Sequence, residues 1–307
     1  MKLLATSVVR GSQQGQSHGG VYLIDPQNQS VLQTIDWNRT DIDWQGRGWD
    51  RGLRGIAFDG ETIYIAASDE LFAYTTEFHR IGSWRNRFLK HCHEITVFGR
   101  SLFLTSTGFD SILAFDLDRQ RFHWAMQVQE KEFSFKAVVF DPDSDSGPLM
   151  LNKLHLNSIH CNEHGLYVSG LRSGGMLHFN GKTILMSVEL PTGTHNARPF
   201  RNGVLFNDSE ANALRYCGRD SDSEDRAMRV PTYETGDLVH TGEDTVGIAR
   251  PGFARGLCVL SDSLVAAGSS PSTVSLYDLA ANQRLWSVNL TMDVRNAIHG
   301  LAVWPYE

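Results

Sequence analysis

Long apolar runs are missing from this sequence. No stretch approaches the roughly 20 apolar residues of a membrane helix, so no membrane span is predicted. Met1 to Arg10 holds one Lys and an apolar run too short for a secretory signal, and Leu3 to Val9 reads as a strand. Cysteine is scarce: Cys92, Cys161, Cys217 and Cys258 are the four in 307 residues, with no CxxC spacing. That argues against a disulfide framework and predicts reduced, mostly buried thiols in a cytoplasmic protein. Positive charge is not in excess either, with 28 Lys and Arg against 35 Asp and Glu and a net charge of −7. No nucleic-acid partner and no anionic-membrane partner is expected on that balance. No GxSxG elbow, P-loop, Rossmann fingerprint or HExxH motif occurs, and long helices are not evident.

What is present is a repeat. One unit runs RGIAFDGETIYIAASDELFAY from Arg54, and another runs HEITVFGRSLFLTSTGFDSILAFD from His93. NSIHCNEHGLYVSGLRSGGMLHF follows from Asn157, HNARPFRNGVLFNDSEANALRY from His195 and RGLCVLSDSLVAAGSSPSTVSLYD from Arg255. Each reads as a short strand, a turn rich in Gly, Asn or Asp, an apolar strand, a polar loop and a third strand. HRIGSW, QRFHW and QRLWSVNL supply fourth strands. Four-stranded units in series describe propeller blades. The sixth unit is split: HGLAVW from His299 is a first strand, and LLATSVV, GGVYLID and SVLQTIDW are a second, third and fourth. The expectation is an all-β, six-bladed propeller spanning residues 1–307 as one domain, closed by pairing of the C-terminal strand with the N-terminal ones.

Three lead-in segments look long, Trp37 to Leu53, Ala125 to Leu156 and Pro231 to Ala254, so long and short loops are expected to alternate. Asp141 to Gly147 and Arg219 to Arg226 are acidic and polar. Neither has the EF-hand pattern, and both read as solvated loops. GRGWDRG, Gly46 to Gly52, lacks the phosphate-loop context and reads as a mobile top loop.

Alignment of the first strands by their turns gives one column: Arg54, His93, Asn157, His195, Arg255 and His299. Two residues on stand Ile56, Ile95, Ile159, Ala197, Leu257 and Leu301. The histidines fall on alternate blades and converge on the axis in this reading. Three neutral imidazoles with an open fourth position describe a catalytic zinc site, and similar sets bind iron or copper. Arg54 and Arg255 would hold a carboxylate or phosphate bidentately, and Asn157 would orient a water or carbonyl. Against this stands a structural role for each histidine as a hydrogen-bonding strand residue. Glu94 is either a carboxylate behind the site or a cap on a neighbouring backbone amide. His91 and His155 lie two residues before the column. His160 is placed deeper. Arg198 serves a salt bridge between blades or the substrate. Tyr233 and His240, on a long loop, are candidates for acid or base, and Asp208 caps its own turn.

HLNSI (His155 to Ile159), HNARPFRNGVLFNDSEAN (His195 to Asn212) and PGFARGL (Pro251 to Leu257) resemble the signature segments of a bacterial family of uncharacterised propeller proteins. The resemblance covers about Arg54 to Ser270; it implies the fold and brings no activity. His299 departs from that family's pattern, in which the last blade does not begin with His. A second resemblance is to the peptidyl-α-hydroxyglycine amidating lyases, six-bladed propellers whose axial zinc is held by three histidines, with arginines and a tyrosine nearby. His93, His195 and His299, with Arg54 and Arg255 between them, form a similar constellation rather than a matching sequence. It implies a metal-assisted lyase or hydrolase. The metal, zinc first, would polarise a substrate oxygen or activate water, and the arginines would hold the anion.

Three readings follow. The first is a metalloenzyme acting on a small anionic substrate. The second is a non-catalytic propeller that binds a peptide or protein through its long loops. The third is an iron-dependent oxygenase, with His160 or His240 as a fourth ligand. Substrate, metal and oligomeric state stay open at the sequence level.

Overall fold

The structure, a computed structural model, describes residues 1–13, 15–37, 52–132, 134–220, 225–242 and 248–306. Trp44, Trp49 and nearly all of the GRGWDRG segment lie outside the described residues, as do parts of the segments Arg219 to Arg226 and Pro231 to Ala254. Strands dominate. They are β1 (Leu3–Val9), β2 (Gly20–Asp25), β3 (Ser30–Asp36), β4 (Ile56–Asp59), β5 (Thr62–Ala67), β6 (Glu70–Tyr74) and β7 (Arg80–Arg85). Next come β8 (Ile95–Phe98), β9 (Ser101–Ser106), β10 (Ser111–Asp116), β11 (Arg121–Lys131), β12 (Ser134–Phe140), β13 (Leu156–Asn162), β14 (Gly165–Gly170), β15 (Gly175–Phe179) and β16 (Ile184–Glu189). Last are β17 (Thr194–Phe200), β18 (Gly203–Asp208), β19 (Ala213–Gly218), β20 (Arg226–Arg229), β21 (Arg255–Val259), β22 (Leu264–Ser269), β23 (Thr273–Asp278), β24 (Gln283–Asn289) and β25 (Asn296–Val303). The helical elements among the described residues are two three-residue 3₁₀ turns.

These strands form six sheets, and the fold is an all-β, six-bladed β-propeller. Four sheets follow the chain in blocks of four: β4 to β7, β13 to β16, β17 to β20 and β21 to β24. One sheet has the order β25-β1-β2-β3. Its antiparallel β1–β25 pairing runs from Leu3 opposite Val303 to Val9 opposite Asn296. This is the split blade that the repeat predicts.

Local chemistry explains the blades. Gly60 and Gly99 take positive φ between β4 and β5 and between β8 and β9, where tight hairpin turns need it. Middle strands such as β6 are buried throughout, whereas outer strands such as β7 and β16 are largely exposed.

The sheet after β7 corrects one expectation. It has five strands, β12-β11-β10-β9-β8, because the segment Ala125 to Leu156 contains a hairpin rather than a loop. Ala125 pairs with Phe140 and Lys131 with Ser134. The signal was present: apolar and polar residues alternate on either side of Glu130-Lys131-Glu132. The hairpin leaves Asp141 to His155 between β12 and β13, so this lead-in is shorter than expected but still longer than the segments before β8 and β17.

The chain forms two compact units, Met1–Arg54 with Asn207–Glu307, and Gly55–Phe206. The second holds apolar clusters among its described residues. One centres on Leu71, Leu102, Leu113 and Phe115, the other on Leu156, Ile159, Val168 and Leu177. The first unit has a cluster of Leu3, Ala5, Ile24, Ala266, Val274 and Ile298. All four cysteines are free thiols, and burial pushes the Cys161 thiol up to about 11. Among the described residues, no helix is long and apolar enough to cross a membrane.

Candidate functional site

Strand register places the column. Ile56 lies opposite Ile65, Ile95 opposite Leu104, Ile159 opposite Val168 and Leu257 opposite Ala267. In each case the partner is the fourth residue of the next strand. Leu301 lies opposite Ala5. The polar residue two positions earlier is therefore set by pairing. Arg54, Asn157, His195, Arg255 and His299 are buried, and His93 is half-buried. Register shifts mark three of these strands, leaving Asn157, Gly256 and His299 each as an extra residue opposite its partner strand. Such bulges re-aim a side chain locally.

His93, Asn157 and His195 belong to the unit Gly55–Phe206. His93 Nδ1 lies 2.6 Å from the carbonyl of His91 and 2.9 Å from Thr107 Oγ1. His195 Nδ1 lies 3.0 Å from the carbonyl of Gly193. Both histidines thus bond a carbonyl two residues back. In both cases that residue has positive φ, 54° at His91 and 82° at Gly193, which turns its carbonyl onto the ring. A carbonyl only accepts, so Nδ1 carries a proton, and in the neutral form of the ring the lone pair lies on Nε2. His155 Nδ1 is 3.0 Å from Asn152 Oδ1, and its ring meets that of His93 edge to face at 5.4 Å.

The amide of Asn157 is engaged at both ends. Its Nδ2 donates to Thr194 O at 3.0 Å, and its Oδ1 accepts from Ser158 Oγ at 2.8 Å. Glu94 caps a neighbouring backbone amide, as one reading of the sequence held. Its Oε2 accepts from Ile159 N at 2.9 Å, and Asn196 Nδ2 reaches Oε1 at 3.4 Å. Burial raises the Glu94 carboxyl above the usual carboxylate range; Arg198 and the two hydrogen bonds oppose the shift. His160 is pushed down to about 4 by burial and then by Arg198. Arg198 therefore acts within this network, next to Glu94 and His160. Sequence reasoning missed Asp110, whose carboxylate accepts the backbone N–H groups of Lys153, Leu154 and His155 at 2.5, 3.2 and 2.8 Å. No local motif announces a carboxylate that acts on residues 43 positions away.

Arg54, Arg255 and His299 belong to the other unit. Arg255 Nη1 donates to His299 Nε2 at 3.1 Å, with both side chains buried. Thr6 Oγ1 donates to the Arg54 carbonyl at 2.5 Å and accepts from Gly300 N at 2.9 Å. The guanidinium of Arg255 lies 4.4 Å from the ring centre of Phe253. Tyr233 pairs its hydroxyl with Thr273 Oγ1 at 2.8 Å. His240 is exposed and lies 3.8 Å from Asp293. Asp208 accepts from Ala211 N at 2.9 Å, capping its turn, and pairs with Arg215 at 3.0 Å.

The metal expectation can be tested on donor chemistry. His93 and His195 are tethered through Nδ1 to a carbonyl, as metal-ligating imidazoles commonly are. His299 differs, since its Nε2 lone pair receives a guanidinium N–H, and a fixed cation at that atom disfavours a metal ion. Among the described residues, no group of three or more His, Cys, Asp or Glu could hold a metal ion. The residues do not fit a three-histidine metal centre.

No protein-family model matches the chain, and no curated protein does. In fold the chain is similar to a chain from the crystal structure of a nidogen/laminin complex, at 11% identity over 98% of each chain with a TM-score of 0.59. It is also similar to a protein of unknown function from Bacteroides caccae, at 12% identity over 98% of this chain and 97% of that one, with a TM-score of 0.58. Likeness at such identities is one of fold alone.

Proposed function

We propose that the chain is an enzyme of lyase or hydrolase type, acting on a small anionic substrate with His93 and His195 as its working imidazoles. One observation supports this reading above others: both rings are held in the same way, Nδ1 on a carbonyl two residues upstream, so that each neutral ring has its basic atom at Nε2. Two blades with different local sequences, HCH and GTH, arrive at the same tether. A neutral imidazole fixed in one tautomer can take a proton from a substrate or a water and return it to a leaving group. Glu94 and Asn157 act as struts that hold the two strands, not as reacting groups.

The test is a panel of small carboxylate- and phosphate-bearing esters and α-substituted acids, with the native chain, His93→Gln and His195→Asn. Turnover of one class, lowered about 10²-fold or more in both variants, is the expected result. Turnover unchanged in both variants would overturn the reading. Metal content of the same samples, read by mass spectrometry, shows separately whether a divalent ion travels with the imidazoles.

A non-catalytic binding module is the second reading. It is favoured by Leu149, Met150 and Leu151, three consecutive apolar residues that are 72%, 58% and 54% exposed. No turnover across the panel would bring that reading forward.

A further inference from the structure

A cavity of about 460 Å³ lies in the unit Gly55–Phe206, lined from both the sheet of β8 to β12 and the sheet of β13 to β16. It is remote from the polar column. Asn157 is the second residue of β13 and Asn162, in the cavity wall, is the last, so the two stand roughly 16 Å apart along the strand.

The wall is largely aromatic. Phe98, Phe103 and Trp124 come from the first sheet and Phe179 from the second. Trp124 joins the two sheets. Its ring centre lies 6.4 Å from that of Phe103, edge to face, and 6.2 Å from that of Phe179, with those last two planes only 32° apart. Phe98 is 45% exposed, so the wall can be reached from solvent. Cys161, whose thiol is held protonated by burial, also lines the cavity.

The polar part of the lining comes from two turns. Asn162 Oδ1 accepts from His164 N at 2.9 Å, and Asn180 Oδ1 accepts from Lys182 N at 3.0 Å and Thr183 N at 2.9 Å. Gly165 lets the two turns approach, since it has φ +126° and a Cβ there would run into the Phe179 carbonyl. With each amide oxygen engaged in its own turn, the N–H₂ group is the donor that each Asn has left for a ligand. Among the described lining residues there is no Lys or Arg, and the side chain of the one carboxylate, Glu163, is 82% exposed and 3.7 Å from His164. Such a wall favours an uncharged ligand.

We infer that this cavity is a binding site for an uncharged, planar nitrogen heterocycle of one or two rings. Trp124 and Phe179 take the ring face, and the amides of Asn162 and Asn180 donate to ring nitrogens. The volume lies in the range of small-molecule sites, about 300–1,000 Å³. The inference uses neither His93 nor His195 and is read by binding, not by turnover.

Calorimetric titration of the full chain with quinoline and with adenine, both planar with ring-nitrogen acceptors, tests it. Indole, planar without a ring acceptor, and cyclohexanol, which is not planar, are the comparisons. Saturable one-site binding of quinoline or adenine is expected, about fivefold or more tighter than that of indole, with no saturable binding of cyclohexanol. Trp124→Leu should weaken it about tenfold. Asn162→Asp and Asn180→Asp keep the oxygens that hold the turns and lose the N–H₂ donors. They should weaken heterocycle binding about fivefold or more and leave indole within about twofold. Should Trp124→Leu fail to fold, the two Asn→Asp variants carry the test. No saturable binding of either heterocycle to the folded native chain overturns the inference. So does cyclohexanol bound as tightly as the heterocycles, or an affinity unchanged in both Asn→Asp variants. His195→Asn separates the two proposals: it should abolish turnover and leave heterocycle binding within about twofold.

Discussion

The two halves of the column occupy the same register position and differ in how their polar groups are satisfied. In the unit Gly55–Phe206 the column residues carry no fixed charge and are tied to the backbone: His93 to His91 O, Asn157 to Thr194 O and His195 to Gly193 O. In the other unit two of the three are arginines, and Arg255 and His299 bond to one another. Position in a blade thus sets burial, while residue type sets chemistry. In the neutral half the tethers fix side-chain direction and imidazole tautomer, whereas the cationic half carries guanidiniums whose N–H donors point in fixed directions.

The largest expected effect breaks the neutral half. Glu94→Ala removes the acceptor of Ile159 N and the counter-charge beside Arg198, and should lower stability by about 2–4 kcal/mol in urea unfolding. An unchanged urea midpoint would mean that this half is not held through Glu94. Next comes the cationic half, where Gly256 has φ +75° and a Cβ there would stand 3.0 Å from Ile298 Cγ2. Gly256→Ala should cost about 1–3 kcal/mol, read as a lower Tm, because the strand bulge next to Arg255 needs that conformation. An unchanged Tm would mean that the bulge does not depend on the positive φ of Gly256.

The smallest effect concerns pH. The His160 imidazole falls from 6.5 to about 4 in the folded chain, so between those values the unfolded chain binds more protons than the folded one. Stability from this group is complete above pH 6.5 and is lost as the pH falls toward 4. Glu94 has the opposite sign: its raised carboxyl favours the folded state below the usual carboxylate range and loses that advantage as the pH rises. His160→Asn should flatten the acid limb of a stability-against-pH curve and leave the Glu94 contribution in place. An acid limb identical to that of the native chain would remove His160 from the network.

Much of the fold was legible because propeller blades are built from local hairpins. Asp59-Gly60 and Phe98-Gly99 announce their turns, and the split blade could be assembled from HGLAVW and LLATSVV. The hairpin of β11 and β12 was misread because the segment Ala125 to Leu156 was treated as one lead-in, although its alternation was visible. The site was legible only in part. Register placed His93 and His195, but not the tether on Nδ1, which depends on positive φ at His91 and Gly193. The meeting of Trp124 with Phe179 was not legible, because the two rings come together from different sheets.

By itself, then, the sequence determined the blade number, the closing strand and the column of polar residues, since turn chemistry and period-two patterning act over a few residues. Tertiary structure alone decided what each column residue does. Whether an imidazole nitrogen faces a carbonyl or a guanidinium, and whether aromatic rings from two sheets line one cavity, depends on atoms brought together from distant strands. No local rule carries that information.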